Sequence, residues 1–185
     1  MMKNVLHIEH RAQFREWLAT HAESETEVWV DSIRKKPDGE SFTYLDAVEE
    51  ALCFGWIDSV WKNVDGRFLQ RFSPRKKNSP WTELNKERAR RLIKLGLMTK
   101  LGEQALPDMR YREDPDVVKA LKEARVYSIF KSFPPLYQRV RMYNVAFYKK
   151  KDKKTYEAAL AHLIEKTKKK ELFGEWNDYG RLLFF

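Results

Sequence analysis

The chain is 185 residues long, 43% apolar and 14% aromatic, with 7 Gly and 7 Pro. That many aromatics exclude wholesale disorder, and that little Gly and Pro excludes a loop-rich or low-complexity chain. The net charge of +9 sits between residues 131 and 170, where twelve Lys and Arg face Asp152, Glu157 and Glu165, so the remainder is neutral.

In chain order, His10–Ala22 carries Phe14, Trp17 and Leu18 at helical spacing, which predicts a helix. Residues 26–33, TEVWVDSI, are rich in β-branched side chains and predict a strand. Lys36-Pro37-Asp38-Gly39 supplies turn chemistry. Thr43 caps an expected helix from Tyr44 to Phe54, with Leu45, Val48 and Leu52 on one face, and Gly55 stops it. Glu49 and Glu50 then fall on its wet face.

Trp56–Val64 and Arg67–Phe72 flank Asp65-Gly66, the pair that favours a two-residue hairpin turn with positive φ at both positions. That turn pairs Val64 with Arg67, Lys62 with Leu69 and Val60 with Arg71. Alternation then places Ile57, Ser59, Trp61, Asn63, Phe68, Gln70 and Phe72 on the core face. Trp56, Asp58, Lys62 and Arg71 fall on the opposite face, with Asp58 diagonal to Arg71.

Ser79 and Pro80 open the next expected helix, which runs to about Leu95 before Gly96. Thr99 caps a short one before Pro107. Helices are also expected over Pro115–Ala124, Pro134–Tyr148 and Thr155–Lys168, the last two as an antiparallel pair with apolar stripes and basic outer faces. The apolar tail, with Phe173, Trp176, Tyr179 and a closing Leu-Leu-Phe-Phe, is expected to dock on the body. The fold class is therefore α+β: a small antiparallel sheet with a central β-hairpin covered by helices, spanning residues 1–112, and a basic helical region at 113–185 packed on it.

The sharpest chemical inference lies after the hairpin. A helix N-terminus offers free N–H groups and a positive dipole end, suited to an anion. Asp58, Arg71, Ser73, Arg75, Lys76 and Ser79 surround the expected one, and Trp81 adds a flat apolar wall. We expect a small anionic or phosphate-bearing ligand here, oriented by Arg71 and Asp58. The same residues also fit a plain salt bridge and an ordinary capped helix.

The alternative partner is nucleic acid, through Arg139, Arg141, Lys149, Lys150 and Lys151 interleaved with tyrosines. Solvated helices account for the same residues, and no RNA-recognition or zinc-finger signature accompanies them. A third reading is an enzyme acting on a phosphorylated or carboxylated small molecule, although no phosphate-loop or nucleophile-elbow motif is present. His7, His10, His21 and His162 lack metal-ligand spacing, so neither a metal nor a cofactor is expected. Cys53, near a helix C-terminus and close to Asp46 and Glu49, reads as an inert thiol. The opening MMKNVLHIEHRAQF lacks the roughly 7–15 apolar residues of a signal-peptide core, and no window approaches the roughly 18 of a membrane span. The expected location is the cytoplasm.

Asp46-Ala47-Val48-Glu49-Glu50-Ala51-Leu52-Cys53-Phe54-Gly55-Trp56-Ile57-Asp58-Ser59 forms one recognisable block. Arg71-Phe72-Ser73-Pro74-Arg75-Lys76 forms a second. Ser79, Trp81, Asn85, Arg88, Arg91-Leu92-Ile93, Gly96 and Met98 follow in order. Together they resemble the bacterial YdeI/OmpD-associated family, often labelled bacteriocin-protection proteins. The resemblance covers Phe14 to about Leu106, and more weakly Phe133-Pro134-Pro135 and the helices after it. It implies a small bacterial protein associated with tolerance of antimicrobial peptides, and it carries no catalytic residues. A basic protein is ill suited to capturing cationic peptides, so the implied role is indirect and intracellular.

Overall fold

The computed structural model describes residues 4–32 and 35–185. Among them are four strands, Val5–His7 (β1), Val28–Asp31 (β2), Trp56–Val64 (β3) and Arg67–Pro74 (β4). Eight α-helices accompany them: Arg11–His21 (α1), Tyr44–Cys53 (α2), Glu83–Lys94 (α3), Lys100–Gln104 (α4), Pro115–Glu123 (α5), Tyr127–Lys131 (α6), Pro135–Ala146 (α7) and Lys153–Lys168 (α8). The fold is α+β. It divides into two compact units, one holding the chain up to Pro80 with Arg88–Pro107 and Phe185, the other Trp81–Glu87 with Asp108–Phe184. The expected boundary at 112 thus falls at Pro107, and residues 81–87 join the later unit.

In the first unit the strands run in the order β1-β2-β4-β3. β2 and β4 pair antiparallel, as do β3 and β4, but β1 pairs parallel to β2. The sheet is therefore mixed, and the hairpin lies to one side with β3 at the edge rather than at the centre of an all-antiparallel sheet. The cause is the short β1, which composition did not mark. Parallel pairing needs a crossover connection, and α1 supplies it. Of the strand expected over 26–33, Val28–Asp31 is observed, and Ile33 lies outside the described residues.

The hairpin turn forms as expected, with Asp65 at φ 51° and Gly66 at φ 80°. The register holds from Val64↔Arg67 to Trp61↔Gln70, and then a β-bulge between Asp58 and Trp61 shifts it, so that Asp58 faces Phe72 and Ile57 faces Ser73. Residues directly opposite share a face. Trp56 and Asp58 therefore join Phe72 on the covered face, and Ile57 turns to the other, reversing the expected assignment. Trp56 is 1% exposed, whereas Trp61, nearer the tip, is 49% exposed. Trp61 stacks on Phe68 at 4.2 Å. The buried Gln70 explains how the bulge is tolerated: its Nε2 donates to Ser59 O at 3.3 Å and Val60 O at 3.1 Å.

α1 and α2 cover this face. Phe14 and Leu18 are fully buried, and the Phe14 and Phe72 rings lie 5.5 Å apart. Trp17 meets Trp56 edge to face. Thr43 caps α2 as expected, with Asp46 Oδ2 accepting its amide at 2.9 Å. α2 is buried along its length from Leu45 to Cys53, so it has no wet face.

In the second unit Asp114 caps α5 and Asp152 caps α8, each accepting backbone amides. Val117, Leu121, Phe130, Tyr137, Met142 and Leu163 form the core. The five-residue α6 is too short for periodicity to reveal. The tail docks in part: Leu182 packs on Leu136 and Val140, but Phe184 is 91% exposed. No helix among the described residues is long and apolar enough to cross a membrane.

Candidate functional site

The expected anion corner does not assemble. The bulge places Asp58 on the covered face, where it accepts the Tyr44 hydroxyl at 2.6 Å. Arg71 stays on the other face. Its Nε donates to Glu27 at 2.8 Å and its Nη1 to Ser59 Oγ at 3.2 Å. Ser73 shares that face with Arg71. Arg75 Nη1 donates to Pro80 O at 3.0 Å, while Lys76 is exposed. Ser79 is not a helix cap: its hydroxyl donates to Lys76 O at 2.6 Å, closing a turn. The helix starts later, with Thr82 Oγ1 accepting the Asn85 amide at 3.0 Å. Trp81 is only 8% exposed, so it offers no open wall.

Glu49 and Glu50 correct the reading most. They are 0% and 2% exposed. Glu49 takes Arg11 at 2.7 Å on one oxygen and Arg91 at 2.9 Å on the other. Glu50 takes Arg11 on one oxygen and Arg15 at 2.8 Å on the other. Arg15 also donates to Leu97 O at 2.8 Å. Burial by itself would lower the Arg11 pKa, but Glu50 and Glu49 outweigh it and raise it. With arginines on both oxygens, neither carboxylate is placed to take a proton from a substrate. The cluster is a clamp tying α1, α2 and α3. Two signals for it existed: Arg11 and Arg15 stand at i, i+4 on one helix face, and the acid pair interrupts an apolar run. The convergence of Arg91 had no local signal.

Cys53 is fully buried, and burial followed by Glu50 pushes its thiol up to about 11. Both effects disfavour the thiolate. Among the described residues, no group of three or more His, Cys, Asp or Glu is arranged to hold a metal ion.

Three of the five basic residues weighed for nucleic acid are engaged within the second unit. Arg139 pairs with Glu87 at 2.8 Å, Lys149 pairs with Asp114 at 3.3 Å and with Asp116, and Arg141 is 8% exposed. Lys150 and Lys151 remain exposed, with the Lys151 ammonium 3.6 Å from the Phe147 ring centre.

Arg141 instead lines a cavity of about 420 Å³, with Asn144, Phe147, Tyr148, His162 and Phe173. The spacing follows from the helix. Arg141, Asn144, Val145 and Tyr148 stand at i, i+3, i+4 and i+7, one face of α7 continued into its last turn. Ala159 and His162 present one face of α8 in the same way. The Arg141 guanidinium lies 4.9 Å from the Phe173 ring centre and 5.6 Å from that of Tyr137. Its Nη2 donates to Glu175 O at 2.8 Å, while its Nε is buried with no hydrogen-bond partner. Burial lowers its pKa, opposed by Tyr137 and Glu175, and an arginine stays charged regardless. His162 meets Phe173 edge to face at 4.6 Å. The chemistry is that of a cation among aromatic rings.

A family model described as Domain of unknown function (DUF8412) matches residues 6–105. The match covers more than half of the chain. The chain belongs to this family. The DUF8412 segment runs from β1 through α4 and contains the whole Arg11–Glu49–Glu50–Arg91 clamp. It also contains the Asp46–Met98 blocks on which the sequence resemblance rests. Of the residues lining the Arg141 cavity, only Thr82 falls inside the DUF8412 segment. No curated protein and no solved structure matches significantly.

Proposed function

We propose that the chain binds a small anionic molecule bearing an aromatic or apolar portion, in the cavity lined by α7, α8 and Phe173. The observation that carries this reading is Arg141: a guanidinium held against the Phe173 and Tyr137 rings on the wall of a roughly 420 Å³ cavity. Small-molecule sites are concave, largely apolar and oriented by a few polar groups, with volumes of roughly 300–1,000 Å³. Arg141 supplies the charge, Phe147, Tyr148 and Phe173 the apolar walls, and Asn144 and His162 the orienting groups. The expected anionic ligand is kept, but its site moves from the hairpin corner to α7. The resemblance to the YdeI/OmpD-associated family supports an indirect protective role for that binding.

The test is a thermal-shift screen of aromatic carboxylates, nucleotides and phosphorylated metabolites, followed by calorimetry. A ligand at a hundred times its Kd raises stability by about 2.7 kcal/mol. Arg141→Lys and His162→Ala are each expected to weaken a hit by about tenfold or more. A hit indifferent to both variants sinks the proposal. Stabilisation by nucleic acid alone, abolished by salt, would move the function to the exposed Lys150, Lys151, Lys153 and Lys154.

A further inference from the structure

None of the ten described residues lining the Arg141 cavity is acidic, so nothing in its wall opposes an anion. Arg141 and His162 stand together at one end, both against Phe173. The guanidinium lies 4.9 Å and the imidazole 4.6 Å from that ring's centre. From Arg141 to Tyr148 the wall follows α7 and its last turn for about 10 Å, at a rise of about 1.5 Å per residue. The side chains along it, Asn144 and Val145, carry no charge.

The far end is positive as well. Phe147 lines the cavity there, and the Lys151 ammonium lies over its ring, 3.6 Å from the centre. Lys151 is exposed and pairs with no carboxylate among the described residues. A ring face engages one side of an ammonium, and the remaining N–H groups stay available to an acceptor. The lysines two positions to either side differ. Lys149 is taken by Asp114 and Asp116, and Lys153 lies 3.8 Å from Glu157.

We propose that the ligand of this cavity is an elongated dianion, with two acid groups about 10 Å apart across an aromatic or apolar spacer. The proposal rests on the reading of the cavity as an anion site and narrows the class of ligand. Arg141 and His162 take one acid group, and Lys151 takes the other.

The test compares biphenyl-4-carboxylate with biphenyl-4,4′-dicarboxylate, whose rigid frame holds two carboxylates at that spacing, by calorimetry at fixed pH and ionic strength. The dianion is expected to bind about tenfold or more tighter, the contribution of one charge-assisted hydrogen bond. Lys151→Gln should remove most of that gain and leave the monoanion unchanged, whereas Arg141→Lys should weaken both. Lys150→Gln removes the same charge from the neighbouring exposed residue, and should leave both affinities within about twofold of the parent. Terephthalate, whose carboxylates stand much closer together, should gain nothing over benzoate. A dicarboxylate no tighter than the monocarboxylate overturns the two-ended site and leaves the cavity to monoanions. So does a gain that survives Lys151→Gln, is lost equally in Lys150→Gln, or is matched by terephthalate. Binding of neither biphenyl compound overturns the anion-site reading together with this one.

Discussion

Gly102 passes so close to Cys53 that a Cβ added at Gly102 would stand 2.3 Å from the Cys53 carbonyl oxygen. The same carbonyl accepts the Thr99 hydroxyl at 2.6 Å, so the end of α2 and the start of α4 are fastened together at one point. Alanine is the better helix former by about 1 kcal/mol. Here the added methyl meets a backbone atom that cannot swing aside, and also the Met98 sulfur at 2.4 Å. Gly102→Ala is therefore expected to destabilise the chain by about 1–3 kcal/mol in urea unfolding. A neutral or stabilising result would show that the two backbones stand farther apart.

The Cys53 thiol gives a pH signature. Its proton is held more tightly in the folded chain, with a pKa of about 11 against 9.0 for the ordinary group. The resulting stability is fully present below pH 9 and is lost as pH rises towards 11. Cys53→Ala should flatten that part of the stability–pH curve relative to the parent. Thiol reagents at pH 8 should react only on unfolding. Rapid labelling of the native chain would contradict the burial.

Glu49→Ala leaves Arg11 and Arg91 without their shared carboxylate. Removing one partner from a buried ion pair costs about 3–5 kcal/mol. Arg71→Ala breaks a pair whose side chains are 30% and 31% exposed, where about 0–1 kcal/mol is usual. Urea midpoints for the two variants should differ accordingly. Equal losses would mean that water reaches the clamp.

The start of α3 can be located by its cap. Thr82→Ala should cost about 1 kcal/mol, and Ser79→Ala should stay within about 0.5 kcal/mol. The reverse order would restore Ser79 as the helix cap.

Most of the elements were legible because their signals are local. Thr43, Thr99 and Asp65-Gly66 act on neighbours within a few residues, and each does what its chemistry implies. The candidate site was not legible, because it depended on which face each residue of β3 presents. A single unpaired residue in β3 separates Asp58 from Arg71, and nothing in the local pattern announces it. Glu49 and Glu50 failed for a related reason. Whether an acid pair is solvated depends on arginines drawn from positions 11, 15 and 91. Arg141 was assigned to the basic outer face of α7, whereas it is buried, and its rings come in part from Phe173, beyond the next helix.

The bulge in β3 also bears on how this hairpin can change length. β3 carries one residue more than its partner between Trp61 and Asp58, and the Gln70 amide spans the surplus carbonyls. Losing one residue at Ser59 or Val60 would restore one-to-one pairing with Trp56 and Trp61 still on their present sides. Losing one from Lys62–Val64 would put the turn out of step with the ladder. The hairpin therefore has an expansion joint: its tip and its base can drift apart in sequence by one residue without either being turned over.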